Sequence, residues 1–323
     1  MTTWSDGLPP AAHARAARQR ESGVAGSLLS AAGAAAVRSV ALQPVGEVFG
    51  SVVVQLGWTG GGCGIWALPG AGVSGFGPGG GYAPWTAPVL TTGGRNGRNV
   101  GFGSYVQAFS RAWHGARDRM VAEATMLAAD GVVDVRIGRE RLDGRVWEFT
   151  ALGTAVRSLD PSVSPPARAA GPWTAGFSAE HTAALLQSGY VPRGTALGLS
   201  VSTKHEDALL KQQRSVWTGN TEVDGLTQLL QAARADARLQ LSRRVGTLGA
   251  TDLVVTAASV HEFETSCGDE VDLHAEAVFV GTGIAPGPMH AFRGRSATAT
   301  ARRDVTTVIP LRDPGSGRPV RHR

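Results

Sequence analysis

Lysine is almost missing from this 323-residue chain. Lys204 and Lys211 are the only two, and arginine supplies nearly all the positive charge. So lopsided a choice reads as a genomic composition bias rather than as a binding device. Cysteine is as scarce. Cys63 and Cys267 stand alone without CxxC spacing, which argues against a disulfide scaffold and against a zinc knuckle. No 18-residue apolar run is free of charge or glycine, so no membrane span is expected. The first residues lack a basic stretch followed by an apolar core, so no signal peptide is expected and a reducing cytoplasmic home is the default. There is no GxxxxGK phosphate loop. A catalytic signature is missing as well. His114 lies beside Trp113, His181 falls in a first helical turn, and Cys63 sits among glycines, none with an evident nucleophile or base beside it. The chain therefore reads as non-enzymatic.

The net charge of +5 is unevenly placed. Residues 287–323 carry eight arginines and two aspartates, which leaves 23 basic and 24 acidic side chains elsewhere. The body is nearly neutral and the excess sits in a tail. Such a tail attracts anions or a protein partner, but is more often a solvated, disordered extension. No basic face interleaved with aromatics is visible, so nucleic-acid binding is not expected.

What the chain has in plenty is repetition. Pro44 to Gly50, a helical run to Ala128 and a strand pair closing on Gly153-Thr154-Ala155-Val156 form one series. Pro192 to Gly198, a helical run to Gly249 and a strand pair closing on Gly281-Thr282-Gly283-Ile284 form the other. In the first helix Tyr105, Phe109, Ala112, Ala116 and Met120 share a face; in the second, Leu226, Leu230, Ala233, Ala237 and Leu241 do. Arg117 and Arg238 fall at equivalent places, as structural ion-pairing or interface residues or as anion ligands. Asp143-Gly144 marks a hairpin turn in the first series and Cys267-Gly268-Asp269 a longer one in the second. Ser178 is placed to cap a short helix that stops near Gly189.

These features divide the chain into five parts: an extension over 1–38 with weak helix, a first domain over 39–158, a proline-rich linker over 159–176, a second domain over 177–285, and the basic tail over 286–323. Within the first domain, twelve of the 25 residues from Gly57 to Gly81 are glycine. That segment also carries Trp58, Trp66 and Phe76, so it is either a mobile loop or a flap that takes a ligand or a protein partner.

The order PVGxVxG, aromatic-bearing helix with an Ala116-Arg117 step, Leu127-Ala128-Ala129, Val132-Val133, hairpin and Gly153-Thr154-Ala155-Val156 resembles the YbjQ-like family of heavy-metal-binding domains, also called DUF74. Pro192, Gly194, Gly198, Ala237-Arg238, Leu248-Gly249-Ala250, Val254-Val255 and Gly281-Thr282 carry the likeness a second time. The resemblance implies an α+β fold of two tandem dodecin-like units, each one long helix on a small antiparallel sheet. It also implies a ring-like homo-oligomer with a binding or scaffolding role.

The family label points to a divalent metal ion, and the second hairpin holds the best candidates. His261, Cys267, His274 and Glu276 combine nitrogen, sulfur and oxygen donors on the two arms and turn of one hairpin. Three or four such donors must converge to about 2.0–2.3 Å to bind zinc. The competing reading is a charged, solvated hairpin whose carboxylates discourage edge pairing.

Overall fold

A computed structural model describes residues 7–22, 26–58, 87–94, 101–159, 171–215, 219–267 and 270–287, all within one compact unit, Met1–Arg293. Its elements run α1 (Pro10–Ser22), α2 (Ala31–Ser39), β1 (Leu42–Gln55), β2 (Leu90–Thr91), α3 (Gly103–Met126), β3 (Gly131–Asp143), β4 (Val146–Ser158) and β5 (Trp173–Thr174). Then come α4 (Ala179–Gln187), β6 (Tyr190–His205), α5 (Ala208–Gln213), α6 (Asp224–Thr247), β7 (Asp252–Cys267) and β8 (Glu270–Pro286). The architecture is α+β. No helix among the described residues is long and apolar enough to cross a membrane.

Local chemistry sets the boundaries. Pro10 opens α1, where a missing N–H costs nothing. Ser30 and Ser178 cap α2 and α4 by accepting from Gly33 N and His181 N. Gly189 ends the α4 segment at φ +84° and Gly144 turns the β3–β4 hairpin at φ +44°. α2 and α4 pack together with Leu42, Val133 and Val156 in a small core of their own.

Two four-stranded sheets form, ordered β1-β4-β3-β5 and β2-β6-β8-β7. All neighbours are antiparallel except β3 and β5, which pair in parallel at Gly131–Trp173 and Val132–Thr174. The end of the segment expected to be linker is therefore part of the first sheet. The reason is steric: the Trp173 ring occupies the space beside Gly131, where an added Cβ would stand 2.1 Å from it. The rest of that segment, 160–170, lies outside the described residues, as do most of the glycine-rich stretch and the tail beyond 287.

Both halves run strand, 24-residue helix, hairpin. Both first strands bulge after a proline, between Pro44 and Gly46 and between Pro192 and Gly194. Both let their helix touch the strand backbone: a Cβ on Gly50 or Gly198 would lie 2.0 Å from the carbonyl oxygen of Ala116 or Ala237.

Strand alternation then builds the layers. Along β6, Leu197, Leu199 and Val201 join the core around α3, while Ala196 and Gly198 face α6. Along β8, Val278 and Val280 pack towards α3, while Leu273, Ala275, Ala277 and Phe279 pack towards α6. α3 is thus held between its own sheet and the second sheet, and α6 covers the far face of the second sheet. The buried stripe on α6 is Gly225, Leu229, Ala233, Ala237, Leu241 and Val245, one residue every four. Leu226 and Leu230, expected on that stripe, pack at its margin.

The sheet edges differ. On β1, Gln19 donates to Glu47 O at 3.2 Å, Phe49 N donates to Glu123 at 2.9 Å, and Arg119 donates to Ser51 O. On β6, β2 pairs at Thr203 and Ser202, and Arg117 donates to Thr195 O at 3.1 Å. On β3, residues 175 and 177 accept from Val135 N and Asp134 N, and the distal half carries Arg136, Glu140 and Arg141. Beyond β7 no described element pairs, and Val254 and Val255 are 40% and 45% exposed.

Candidate functional site

The β7–β8 register sets His261 opposite Glu276, Phe263 opposite His274 and Cys267 opposite Glu270. By alternation His261, Phe263, His274 and Glu276 share the sheet face that looks towards α3. Three of the expected metal residues, His261, His274 and Glu276, are therefore brought onto one face. The contacts then separate them.

Glu276 is buried and tied to the first half of the chain. Arg139 Nη2 lies 2.5 Å from Glu276 Oε1, the Tyr105 hydroxyl donates to Glu276 Oε2, and Arg139 Nη1 lies 3.1 Å from the same hydroxyl. Burial, reinforced by the Glu276 charge and hydrogen bond, pushes the Tyr105 phenol far above its ordinary range, so it stays a donor. Burial disfavours the Arg139 cation, but the hydrogen bond and charge of Glu276 outweigh that and hold it protonated more firmly than usual. The same guanidinium lies over Phe109 and Trp147, with ring centroids at 4.9 and 5.2 Å.

His274 is buried two residues away. Its Nδ1 is 2.9 Å from Thr203 Oγ1 and its Nε2 is 2.8 Å from Thr265 Oγ1. Burial pushes its pKa down to about 4, so the ring is neutral at ordinary pH. Phe102 and Phe263 flank it at 4.8 and 4.9 Å, and Trp58 adds a third ring at 5.5 Å from each of those two. His261 is exposed and stacks on Phe263 at 6.3 Å. The Cys267 side chain lies outside the described residues. Among the described residues no three His, Cys, Asp or Glu side chains stand together as metal ligands. Zinc needs a free nitrogen on each histidine ligand; both His274 nitrogens have threonine partners, and Glu276 has two partners of its own. The described members of the set do not fit a metal ion as they stand.

The other singled-out residues have structural partners. His114 Nδ1 donates to Ser110 O at 2.6 Å, and burial lowers its pKa. Ser110 Oγ is 3.4 Å from that same nitrogen, which is committed as a donor and so is no base for the hydroxyl. The His181 backbone serves the α4 cap. Arg117 pairs with Asp118 at 2.7 Å and bridges α3 to β6 through Thr195 O, and Arg238 lies over Phe279 at 5.1 Å. Cys63 lies outside the described residues.

Sequence reasoning missed Arg139 and Tyr105 as the partners of Glu276. Parity carried a signal: Arg139 falls on the same strand face as Ile137, which packs against the core. It also missed His205, buried with Nδ1 2.8 Å from Asp272 and Nε2 2.6 Å from Glu270, and Glu270 in turn 2.8 Å from Lys211.

A family model described as "Putative heavy-metal-binding", the YbjQ-like domain, matches residues 93–158. That segment spans α3, β3 and β4. It contains one histidine, His114, and no cysteine, so none of the four metal candidates lies inside the match. No curated protein and no solved structure matches the chain.

Proposed function

We propose that the protein is a non-enzymatic, cytoplasmic homo-oligomeric scaffold built from two tandem YbjQ-like units. The family match over 93–158 supports the first unit. The shared element order, the paired proline bulges and the paired helix-contact glycines support treating residues 177–285 as a second unit of the same kind.

One observation carries the oligomer: β7 is a 16-residue edge strand with no described partner on its outer side and with Val254 and Val255 exposed. Long apolar edges template pairing with another chain unless they are guarded. Here β1 is capped by side chains, and β6 and β3 are each partly covered by a short strand and further hydrogen bonds, so we take β7 as the edge that a second copy joins. The measurement is native mass spectrometry with light scattering. A discrete multimer is expected, and Val254→Lys with Val255→Lys shifts it to monomer without loss of circular dichroism signal. A wild-type monomer at all concentrations tested removes the reading.

A divalent-metal site on the 261–276 hairpin is the second reading, favoured by the family description. It requires His274 to leave Thr203 and Thr265. Elemental analysis after loading with zinc, copper or nickel decides it: a metal content unchanged by His261→Ala with His274→Ala excludes that hairpin.

A further inference from the structure

A cleft of about 350 Å³ opens where α3 and α6 both approach the edge of β6. Gln107, Ser110 and Arg111 line it from α3, at the i, i+3 and i+4 positions of one helical face. Gln240 and Arg244 line it from α6, also one turn apart. Leu197 and Leu199 of β6 contribute apolar surface. No carboxylate lines the cleft. Asp236 is near, and its Oδ2 accepts from Ser200 at 2.6 Å, Gly93 N at 3.0 Å and Gln240 at 3.0 Å.

What sets these two arginines apart is that both line one cleft. Arg15, Arg117, Arg136, Arg139 and Arg214 each have a carboxylate partner. Among the described residues Arg111 and Arg244 have none, although they meet at one cleft. Two guanidiniums with the Ser110 hydroxyl and the Gln107 amide form a donor-rich lining, and the fork geometry of arginine suits phosphate oxygens. The leucine surface beside them suits an apolar body. The volume is within the range of small-molecule sites.

We infer that this cleft between α3 and α6 binds a small organic phosphate, with Arg111 and Arg244 holding the phosphate and Leu197 and Leu199 contacting the organic part. The site is independent of the scaffold reading and uses none of the β7 edge.

The test is isothermal titration of the full-length chain with phenyl phosphate and with inorganic phosphate at fixed ionic strength. Phenyl phosphate is expected to bind more tightly than inorganic phosphate. Arg111→Gln and Arg244→Gln are each expected to weaken it by roughly tenfold, the scale of one charge-assisted hydrogen bond. Arg243→Gln, an exposed arginine that does not line the cleft, is expected to leave it unchanged. All three positions are exposed, so folding is preserved and checked by circular dichroism. Failure of phenyl phosphate to bind up to about 5 mM overturns the site. So does an equal loss in Arg243→Gln, which would mark diffuse charge attraction. Equal affinity for the two probes overturns the assignment of an organic phosphate.

Discussion

α3 and α6 are equally long, and each lies on a three-strand layout of the same order, yet they are buried differently. α3 hides Tyr105, Phe109, Ala112, Trp113, Ala116, Met120, Glu123 and Ala124, residues from more than one face, because a sheet lies on each side of it. α6 hides one stripe because it has one sheet. The difference extends to the sheets. Glu148 and Glu276 hold corresponding registers, opposite Val53 and Val201. Glu148 meets Ser51 at 2.5 Å on a partly exposed face, whereas Glu276 is buried against Tyr105 and Arg139 of the other half. Val146 and His274 correspond in the same way, opposite Gln55 and Thr203. The second hairpin's donor residues thus follow from its place inside the molecule. Glu276 serves the contact between halves, and the first hairpin meets it there through Arg139, whereas Glu148 is used within its own sheet.

The largest effect should come from breaking that contact. Glu276→Ala leaves the half-buried Arg139 cation and the buried Tyr105 hydroxyl without their partner and should cost about 3 kcal/mol in urea unfolding. Glu148→Ala removes one hydrogen bond and should cost about 1 kcal/mol. Equal losses would show that the two registers are not used differently. The next effect should be the same in both halves. Gly50→Ala and Gly198→Ala each force a Cβ against a helix carbonyl, and overpacking of this kind costs roughly 1–3 kcal/mol. A loss in one variant alone would mean that the halves are not built on the same contact.

The smallest effect concerns pH. His274 ordinarily would titrate near 6.5 and is held down to about 4 by burial. The unfolded chain therefore takes up this proton first as pH falls. The stabilisation is complete above pH 6.5 and is lost progressively towards pH 4. His274→Gln should flatten the fall in melting temperature between pH 7 and pH 4.5, and Val146→Gln should leave it unchanged. An acid limb as steep in His274→Gln as in the wild type would assign the pH sensitivity elsewhere.

The repeating order of elements was legible because strand, helix and hairpin are written in local chemistry. β-branched runs, one apolar helical face and Asp143-Gly144 suffice for that. The double-sided burial of α3 was less legible. The apolar stripe at Tyr105, Phe109, Ala112, Ala116 and Met120 accounts for one side, and Trp113, which falls off that stripe, is accounted for only once a second sheet is placed against it. The metal candidates illustrate a different limit. Spacing put His274 and Glu276 on one face, and the register sets His261 opposite Glu276. Spacing says nothing of which partner each side chain prefers, and Thr203, Tyr105 and Arg139 come from segments far away in the chain. β5 was invisible for a related reason: two residues beside prolines make a strand because Gly131 leaves room for a tryptophan ring.

The side chains that cap β1 have a consequence for growth. If copies join along β7, each chain offers one sticky border, because Gln19, Glu123 and Arg119 already occupy the exposed backbone of the opposite sheet. A ribbon that can be extended at a single border stops after one addition. The N-terminal helix and α3, which supply those side chains, would then be what makes assembly finite rather than fibrous.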